Sequence, residues 1–489
     1  MTGRLPSLET TPIPGLVVVH LDRRVDDRGF FKENWQREKM LAIGLPDFGP
    51  VQNNVSFNGD RGVTRGFHTE PWDKFISLAT GRIFGAWVDM RQGETFGTTF
   101  TLEMDTAVAV FVPRGVGNSY QVLEDATAYT YLVNQHWRPG VAYPALALDD
   151  PTAAITWPIP LAEAIISEKD QDNPTLDPST AMAPKKTMIV GALGQLGRAL
   201  HAAHPDADRV DLFAGEGVTA LDLTDAEAVA AWPWHEYAVV LNAAAYTAVD
   251  AAETTEGRVA AWAANATGPA TLARMARVHA FTLVHYSSEY VFDGTAALDP
   301  GHTEDEPLSP LGVYAQSKAA GDIAVGLAPR HYLVRTSWVI GDGNNFVRTM
   351  RGLAEKGVSP SVVDDQVGRL TFTGELVRAT QHLIGSGAAF GTYNVSNGGA
   401  PMSWCEIAQA VFERSGRSAG DVSGTSTQAY ADGVLAQGKP FAPRPLNSAM
   451  SLDRIRATGF APEDALIALD RYLIDDSAPE NAAGTTLTS

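Results

Sequence analysis

The stretch "TMIVGALGQLGRAL", residues 187–200, places a short apolar run directly before three glycines and a helix-forming segment. Gly191, Gly194 and Gly197 would let the backbone turn tightly from a strand into a helix and lie close to a diphosphate at the helix N-terminus. Their spacing, G-x-x-G-x-x-G, differs from the common G-x-G-x-x-G, and three glycines alone also fit an ordinary tight turn. The stretch predicts the first strand and helix of a nucleotide-binding sheet.

Further along the chain, short apolar runs alternate with alanine-rich helical segments. The runs "YAVVLNAAA" (237–245), "FTLVHYSS" (281–288) and "HYLVRTSWVIG" (331–341) are separated by segments such as "GPATLARMARVHA" (268–280). Apolar strands between helices are typical of a parallel sheet covered on both faces. Residues 187–475 are therefore predicted to form an α/β doubly wound domain of Rossmann type with a smaller substrate-binding lobe.

The first part of the chain has short strands with turn residues at close intervals. The segment "KFISLATGRIFGAWVDM" (74–90) reads as two strands joined by a glycine turn, and similar segments continue to residue 137. Such regular short strands indicate an all-β, cupin-like jelly roll or barrel. We assign this domain to residues 1–178, a Pro- and Ser-containing linker to 179–186 and a disordered tail to 476–489.

Composition limits the function classes. The chain has 489 residues, is 45% hydrophobic and carries a net charge of -20. This acidity argues against general binding to nucleic acid or to anionic membranes, because both require a basic face. No signal peptide opens the sequence, and no apolar run approaches the ~18 residues that span a bilayer. We expect a cytoplasmic protein without a nucleic-acid or membrane partner.

A tyrosine and a lysine in "SPLGVYAQSKAAGD" (309–322) form a candidate acid–base pair. Tyr314 and Lys318 are four residues apart and therefore share one face of a helix. A lysine ammonium nearby favours the phenolate, so the tyrosine could give and take a proton near neutral pH. Ser288, within "HYSSEYVF" (285–292) and at the end of the apolar strand before it, could polarise a carbonyl. Alone, Y-x-x-x-K is also common as a surface pair.

With these motifs in this order, the second half resembles the extended short-chain dehydrogenase/reductases, and more closely the dTDP-4-dehydrorhamnose reductases. "NAAAYTAVDAAE" (242–253), "RTSWVIGDGNNF" (335–346) and "DDQVGRLT" (364–371) match the family pattern. The resemblance implies that Ser288, Tyr314 and Lys318 are catalytic, with Tyr314 protonating the C4 oxygen as hydride arrives. Toward the nucleotide sugar it implies Trp338, Asn344, Asn345 and Arg444.

The same resemblance implies NADPH or NADH as the cofactor. Besides Tyr314 and Lys318, the residues implied to bind it are Gly191, Gly194, Gln195, Leu196, Gly197, Asp222, Leu223, Ala243, Ala244 and Ala245. Asp211 could bond a ribose hydroxyl and favour NADH. Ser288 stands where the family usually has threonine, which keeps the hydroxyl. Ala199 stands where some members have a glutamate that joins a divalent ion at a dimer contact, so the sequence does not favour that metal here.

In the first half, "RGFHTEPWDKF" (65–75) sets a histidine between two cations. A β-barrel with histidines raises the question of a metal, but the three histidines before the linker, His20, His68 and His136, form no H-x-H pair. A metal site is therefore not expected in this domain. A histidine that takes a proton and a histidine with a structural role both fit His68 from the sequence.

"DDRGFFKENW" (26–35), "GVTRGFH" (62–68) and "VPRGVGNSYQVL" (112–123) make residues 12–178 resemble the dTDP-4-dehydrorhamnose 3,5-epimerases. The resemblance implies His68 as the base, Asp170 as the group that orients it, Lys74 as the partner of the enolate and Tyr131 as the proton donor on the opposite face. The implied substrate-binding residues are Arg28, Glu33, Gln52, Asn54, Arg65 and Lys169. Epimerases of this type are commonly dimers, so a homodimer through this domain is expected.

Three features depart from the epimerase pattern. Asn118 replaces a usual histidine, Gly85 replaces a usual aspartate, and the loop between His68 and Lys74 is short. These changes leave open a related deoxysugar enzyme that epimerises one centre and performs a different 4-ketoreduction. A non-catalytic nucleotide-binding regulatory subunit is a second alternative, which the intact Tyr314 and Lys318 disfavour. The main hypothesis is a bifunctional enzyme of dTDP-L-rhamnose biosynthesis, because the two halves resemble enzymes of consecutive steps.

Overall fold

The computed structural model describes residues 5–137 and 143–476, and the chain divides into two compact units between Pro184 and Lys185. Lys186, at the end of the predicted linker, is the first residue of a strand in the second unit. The tail predicted for residues 476–489 lies outside the described residues, except that Asp476 ends the last helix. No helix within the described part of the chain is long and apolar enough to cross a membrane.

The first unit is built almost entirely from short strands. They are β1 Ser7–Thr10, β2 Val17–His20, β3 Arg23–Asp26, β4 Gly29–Lys32, β5 Gln52–Asn58, β6 Val63–His68, β7 Lys74–Thr80, β8 Ile83–Asp89, β9 Thr99–Met104, β10 Val108–Val112, β11 Val116–Val122, β12 Thr127–Val133 and β13 Ile165–Ile166, with helices α1 Arg37–Ala42 and α2 Glu168–Gln171. One sheet has the order β1-β2-β10-β7-β12-β5 and the other β13-β6-β11-β8-β9. Neighbours are antiparallel, except that β13 runs parallel to β6. The predicted cupin-like barrel is confirmed.

The two sheets enclose an apolar core. Ile76, Leu78 and Val110 from the first sheet meet Trp87 and Val122 from the second, and each is at most 1% exposed. Burial of these side chains holds the sheets together, since each Å² of apolar surface removed from water contributes about 25 cal/mol.

Packing accounts for the glycine at position 85. Gly85 lies on β8 between Tyr120 of β11 and Leu102 of β9. A Cβ at this position would lie 2.4 Å from Cη2 of Trp87, far inside van der Waals contact. The Trp87 ring therefore fills the space that a side chain at position 85 would need, and an aspartate is excluded while this ring is in place.

Strand β5, at the edge of the first sheet, has an inverted hydropathy pattern. Val55 and Phe57 are 67% and 64% exposed, whereas Asn54 and Ser56 are partly buried and Asn58 is 2% exposed. Alternate side chains of a strand point to opposite faces, so β5 turns polar groups toward the barrel and apolar groups outward. An apolar outer face on an edge strand is a feature that requires explanation.

The second unit contains a seven-stranded parallel sheet, and its described residues form thirteen strands. The strands are β14 Lys186–Val190, β15 Asp208–Asp211, β16 Thr219–Ala220, β17 Tyr237–Asn242, β18 Thr282–Ser288, β19 His331–Thr336, β20 Val339–Ile340, β21 Ser361–Val363, β22 Val367–Gly368, β23 Thr371–Phe372, β24 Gly391–Asn394, β25 Met402–Ser403 and β26 Ser423–Thr425. The large sheet has the order β16-β15-β14-β17-β18-β19-β24. The chain switches direction across the sheet between β14 and β17, which is where a doubly wound sheet binds its ligand. The predicted Rossmann-type fold is confirmed.

Helices accompany this sheet and build a second lobe. They are α3 Gln195–Ala203, α4 Ala226–Ala231, α5 Thr255–Trp262, α6 Gly268–His279, α7 Val313–Val325, α8 Phe346–Glu355, α9 Thr373–Gly385, α10 Trp404–Arg414, α11 Thr427–Ala436, α12 Asp453–Ala457 and α13 Ala465–Asp476. The lobe has its own apolar core, in which Trp338, Val347, Phe372 and Phe412 pack together. Its small strands pair as β20–β23, β21–β26 and β22–β25.

Candidate active sites

In the first unit, His68 and Asp170 form a hydrogen-bonded pair. His68 ends β6, Asp170 lies on α2, and His68 Nε2 is 2.9 Å from Asp170 Oδ1. The other carboxylate oxygen accepts from the backbone N–H of Gly66 at 3.4 Å. Burial alone would raise the pKa of Asp170, but the hydrogen bond and charge of His68 outweigh it and lower that pKa below its ordinary value. The charged carboxylate orients the imidazole and leaves Nδ1 as its free nitrogen.

Lys74 and Tyr131 lie close together on neighbouring strands of the other sheet. Lys74 is 5% exposed, and its Nζ lies 5.7 Å from the centre of the Tyr131 ring. Burial, and next the charge of Glu70, raise the pKa of Tyr131, so this phenol remains protonated at neutral pH. Glu70 also forms an ion pair with Lys74. The sequence argument missed Glu70, although its spacing of four residues from Lys74 was visible.

Asn118 belongs to a polar wall beside the histidine. It pairs with His68 across β11 and β6, and its Nδ2 donates to the Tyr129 hydroxyl at 3.1 Å. The Tyr129 ring stacks on Tyr120 with centroids 4.2 Å apart. Asn118 thus holds a buried tyrosine in place at the position where the family pattern has a histidine.

The remaining predicted substrate residues of this unit fall into two groups. Three line the barrel side of β5 and β6: Arg65 Nε donates to Asn58 Oδ1 at 3.1 Å, and Gln52 Nε2 donates to Asn54 Oδ1 at 2.8 Å. The other three lie at the surface, namely Arg28, Glu33 and Lys169. Arg28 pairs with Asp26 in the β3–β4 hairpin and Glu33 with Lys39. Contact of all six with a substrate stays a prediction.

In the second unit, Ser288, Tyr314 and Lys318 are brought together at the end of β18 and the start of α7. All three are buried, at 8%, 9% and 2% exposed. Lys318 Nζ donates to the Tyr286 carbonyl at 2.7 Å, and the Ser288 hydroxyl accepts from the Tyr290 N–H at 3.2 Å. The arrangement supplies a hydroxyl, a phenol and an amine within one buried site.

Burial shifts the proton affinities of this site. Burial, and next the charge of Glu289, raise the pKa of Tyr314, while burial lowers the pKa of Lys318 to about 8. Asp322 opposes the second shift, and it is itself held by Arg335 Nε at 2.9 Å. Burial also raises the pKa of Glu289 to about 8, and the Ser288 hydroxyl donates to its carboxylate at 2.8 Å. Glu289 was not predicted, although an acid directly after an apolar strand signals an unusual environment.

A cavity of about 580 Å³ lies at the switch point of the sheet. Seven of the predicted cofactor residues line it: Gly191, Gly194, Asp222, Leu223, Ala243, Ala244 and Ala245. A Cβ at Gly191 would lie 2.4 Å from the Ala244 nitrogen, and one at Gly197 2.1 Å from the Gly191 carbonyl oxygen. These close approaches explain the glycines, and the cavity fits a dinucleotide laid over the N-terminus of α3.

Two predicted cofactor residues, Gln195 and Leu196, are the first residues of α3, directly after the glycine turn. Gln195 Nε2 donates to the Asn344 carbonyl at 3.5 Å, and Leu196 packs against the core of the sheet. Asp211 also lines the cavity, where its carboxylate accepts from the backbone N–H groups of Leu193 and Leu212 at 2.9 and 2.8 Å. Among the described residues that line this cavity, none is an arginine or lysine.

The predicted sugar-binding residues of the second unit are held by protein contacts. Trp338 stacks on Trp404 with centroids 3.8 Å apart, and Arg444 pairs with Asp250 at 2.8 Å. Asn345 caps α8 by accepting from the Arg348 N–H and donates to the Gly341 carbonyl. Asn345 therefore orders this loop, and its contact with a nucleotide sugar stays a prediction, as it does for Asn344.

Among residues 5–137 and 143–476, no three His, Cys, Asp or Glu side chains lie together in a way that could hold a metal ion.

A barrel with a His–Asp pair at one sheet and a lysine and a tyrosine on the other, in one chain with a Rossmann-type unit that has a Ser-Tyr-Lys set, defines an isomerase and an oxidoreductase. Family models divide the chain in the same way: residues 10–178 match dTDP-4-dehydrorhamnose 3,5-epimerase, and residues 185–475 match the RmlD substrate binding domain. The chain belongs to both families.

Individual relatives each cover one half. A protein RmlC homolog of Streptococcus pyogenes is 47% identical over 186 residues, which are 36% of this chain and 92% of that protein. A dTDP-4-dehydrorhamnose reductase of Mycobacterium tuberculosis is 39% identical over 290 residues, 57% of this chain and 88% of that protein. The crystal structure of dTDP-4-dehydrorhamnose reductase from Bacillus anthracis in complex with NADP is 30% identical with a TM-score of 0.51, covering 60% of this chain and 99% of that one.

The pKa of Lys318 predicts an alkaline limit for the reductase. Lys318 loses its proton as pH rises through about 8, so kcat/KM for ketone reduction should fall above that pH. The pKa of Glu289 lies in the same range, but a Glu289→Gln variant should keep the fall of kcat/KM at alkaline pH. Steady-state rates between pH 6 and 10 test this prediction. If Glu289→Gln loses the fall of kcat/KM, the titrating group is the glutamate and not Lys318.

Proposed function

We propose that this protein is a bifunctional enzyme of dTDP-L-rhamnose synthesis. The first unit would invert C3 and C5 of dTDP-4-dehydro-6-deoxy-D-glucose, and the second would reduce the C4 ketone of the product with NADPH or NADH. The observation that carries the proposal is that one chain contains two sets of residues. The barrel has a His–Asp pair at one sheet and Lys74 with Tyr131 on the other, and the Rossmann-type unit has a buried Ser-Tyr-Lys set and a cavity at the switch point of its sheet.

In the first unit, proton removal next to the C4 ketone needs a base and a cation. Asp170 accepts from Nε2–H of His68, so Nδ1 is the nitrogen that takes the proton. The Lys74 ammonium meets the negative charge that grows on the C4 oxygen. Tyr131, kept protonated by burial, returns a proton from the other face, which inverts the carbon.

In the second unit, the ketone is protonated as it is reduced. The bound nicotinamide supplies the hydride. Tyr314 gives its proton to the C4 oxygen, Ser288 donates a hydrogen bond to the same oxygen, and Lys318 stabilises the phenolate that remains. Burial of all three side chains excludes water from the proton transfer.

One experiment tests both activities. With dTDP-4-dehydro-6-deoxy-D-glucose and reduced cofactor in deuterated water, deuterium should enter at C3 and C5, and the product should be dTDP-L-rhamnose. His68→Ala should lower the exchange by about 10²- to 10⁴-fold but still reduce dTDP-4-dehydro-L-rhamnose supplied directly. Tyr314→Phe is the matched control, because it should keep the exchange and lose reduction.

The alternatives give different results in the same experiment. Deuterium at one carbon would identify a single-centre epimerase, the reading that Asn118 and Gly85 favour. Wild-type protein that neither exchanges nor oxidises cofactor would identify a regulatory nucleotide-binding protein.

For the reductase we propose a preference for NADH. In Rossmann folds an acid at the end of the second strand bonds the ribose 2′-hydroxyl, and Asp211 occupies that position at the end of β15. A 2′-phosphate would meet this carboxylate in a cavity whose described lining has no basic side chain.

Cofactor competition tests this preference. NADH should be favoured by about tenfold or more in kcat/KM, since two anions at contact distance repel strongly in a partly buried site. Asp211→Asn should reduce the preference, and Asp206→Asn, an exposed carboxylate before β15, should leave it unchanged. An unchanged ratio in Asp211→Asn would contradict the assignment.

We also propose that the first unit forms a homodimer through β5. The strand exposes Val55 and Phe57 at a free sheet edge, and the β3–β4 hairpin exposes Val25 and Phe31 at 70% each. A second copy of the same surface would cover these apolar groups and pair the free backbone of the edge.

Light scattering tests the dimer. Wild-type protein should have twice the chain mass, and Phe57→Glu should be a monomer because it places a charge in the contact. Ile467→Glu adds the same charge at an exposed apolar residue of α13 and should remain dimeric. A dimeric Phe57→Glu, or a monomeric wild type, would contradict the proposal.

A further inference from the structure

The loop of residues 69–73, between His68 and Lys74, is held by its backbone at several points. The N–H of Thr69 donates to the Pro144 carbonyl at 2.8 Å, and the carbonyl of Glu70 accepts from the Gly115 N–H at 3.1 Å. The N–H of Asp73 donates to Asn134 Oδ1 at 3.0 Å. Because these contacts use backbone atoms of residues 69, 70 and 73, they fix the loop whatever the side chain of Glu70 does.

The Glu70 side chain is directed at Lys74. The two form an ion pair in which the side chains are 16% and 7% exposed. A lysine buried to this extent is costly to keep charged unless an anion lies beside it. Glu70 is therefore the group that compensates the ammonium on which enolate stabilisation depends.

The rest of the barrel explains why this carboxylate comes from the loop. On β8, the position where the epimerase pattern has an aspartate is Gly85, and the Trp87 ring fills the adjacent space. The short loop sets an acid four residues before Lys74. Position 85 thus supplies no carboxylate, and the acid paired with Lys74 is Glu70, in the loop that follows β6.

We propose that Glu70 is a positioning residue of the epimerase, which holds the Lys74 ammonium aimed at the substrate's C4 oxygen. This inference rests on the proposed epimerase function. Glu70 also acts on the opposite face of the reaction, because its charge helps to keep Tyr131 protonated. One carboxylate would in this way support both the cation and the proton donor.

The test is the Glu70→Gln variant of the full-length protein, assayed by deuterium exchange into dTDP-4-dehydro-6-deoxy-D-glucose. The exchange kcat should fall about 10- to 100-fold with KM changed much less, since a misplaced cation acts mainly on the transition state. Glu70→Asp, which keeps the carboxylate, should recover most of the lost kcat.

Asp73→Asn is the matched control in the same loop. The Asp73 carboxylate accepts from the Arg114 N–H at 2.9 Å and from Asn134 at 3.0 Å, so its loss should lower the thermal midpoint and leave the exchange kcat near its wild-type value. An equal fall of kcat in Asp73→Asn, an unchanged kcat in Glu70→Gln, or no recovery in Glu70→Asp would overturn the role of Glu70. Absence of exchange in the wild type would instead overturn the epimerase function itself.

Discussion

The hydrogen bond between His68 and Asp170 is the contact on which the first unit depends. It joins residues 102 positions apart, and it forms only when the chain after the barrel returns to lie along β6. The return is made by β13, whose Ile165 pairs with Val63 in the parallel exception to an antiparallel barrel. A buried carboxylate without a partner is strongly destabilising. The pairing of β13 with β6 and the hydrogen bond that orients His68 are therefore expected to form together.

In the second unit, too, buried charged groups have hydrogen-bonded partners. Asp322 is 3% exposed and lies against Arg335, and Lys318 donates a hydrogen bond to the backbone carbonyl of Tyr286 on β18. These groups stay in place because each has a hydrogen-bonded partner in a region that excludes water. Rigidity at this site therefore comes from polar contacts as well as from the apolar core beneath the sheet.

The sequence predicted both folds because their signals are local. Apolar runs separated by helices at residues 187–475, and short strands with close turns before them, each follow from the period of the backbone. The family patterns then identified His68, Asp170, Tyr314 and Lys318, which the structure brings together in pairs. The catalytic roles of these residues stay predictions.

What the sequence could not provide depends on burial and on distant neighbours. Glu70 and Glu289 look like ordinary acids until the fold encloses them, and the space at Gly85 is set by a tryptophan two residues away. Asn345 is the opposite case. It was predicted to contact the sugar, but its side chain accepts a hydrogen bond from the Arg348 N–H and caps α8. Strand β5 inverts the usual pattern, so hydropathy alone would assign its buried face to the wrong side.

The two units, which meet in sequence between Pro184 and Lys185, belong to one chain, and this links the amounts of the two active sites. Because both units are made in a single translation product, the cell contains equal numbers of the two active sites at every level of expression. Their relative capacity can then be adjusted only through turnover numbers, and not by changing the amount of one enzyme. The balance between the rate of epimerisation and the rate of ketone reduction therefore depends on the side chains of the two active sites.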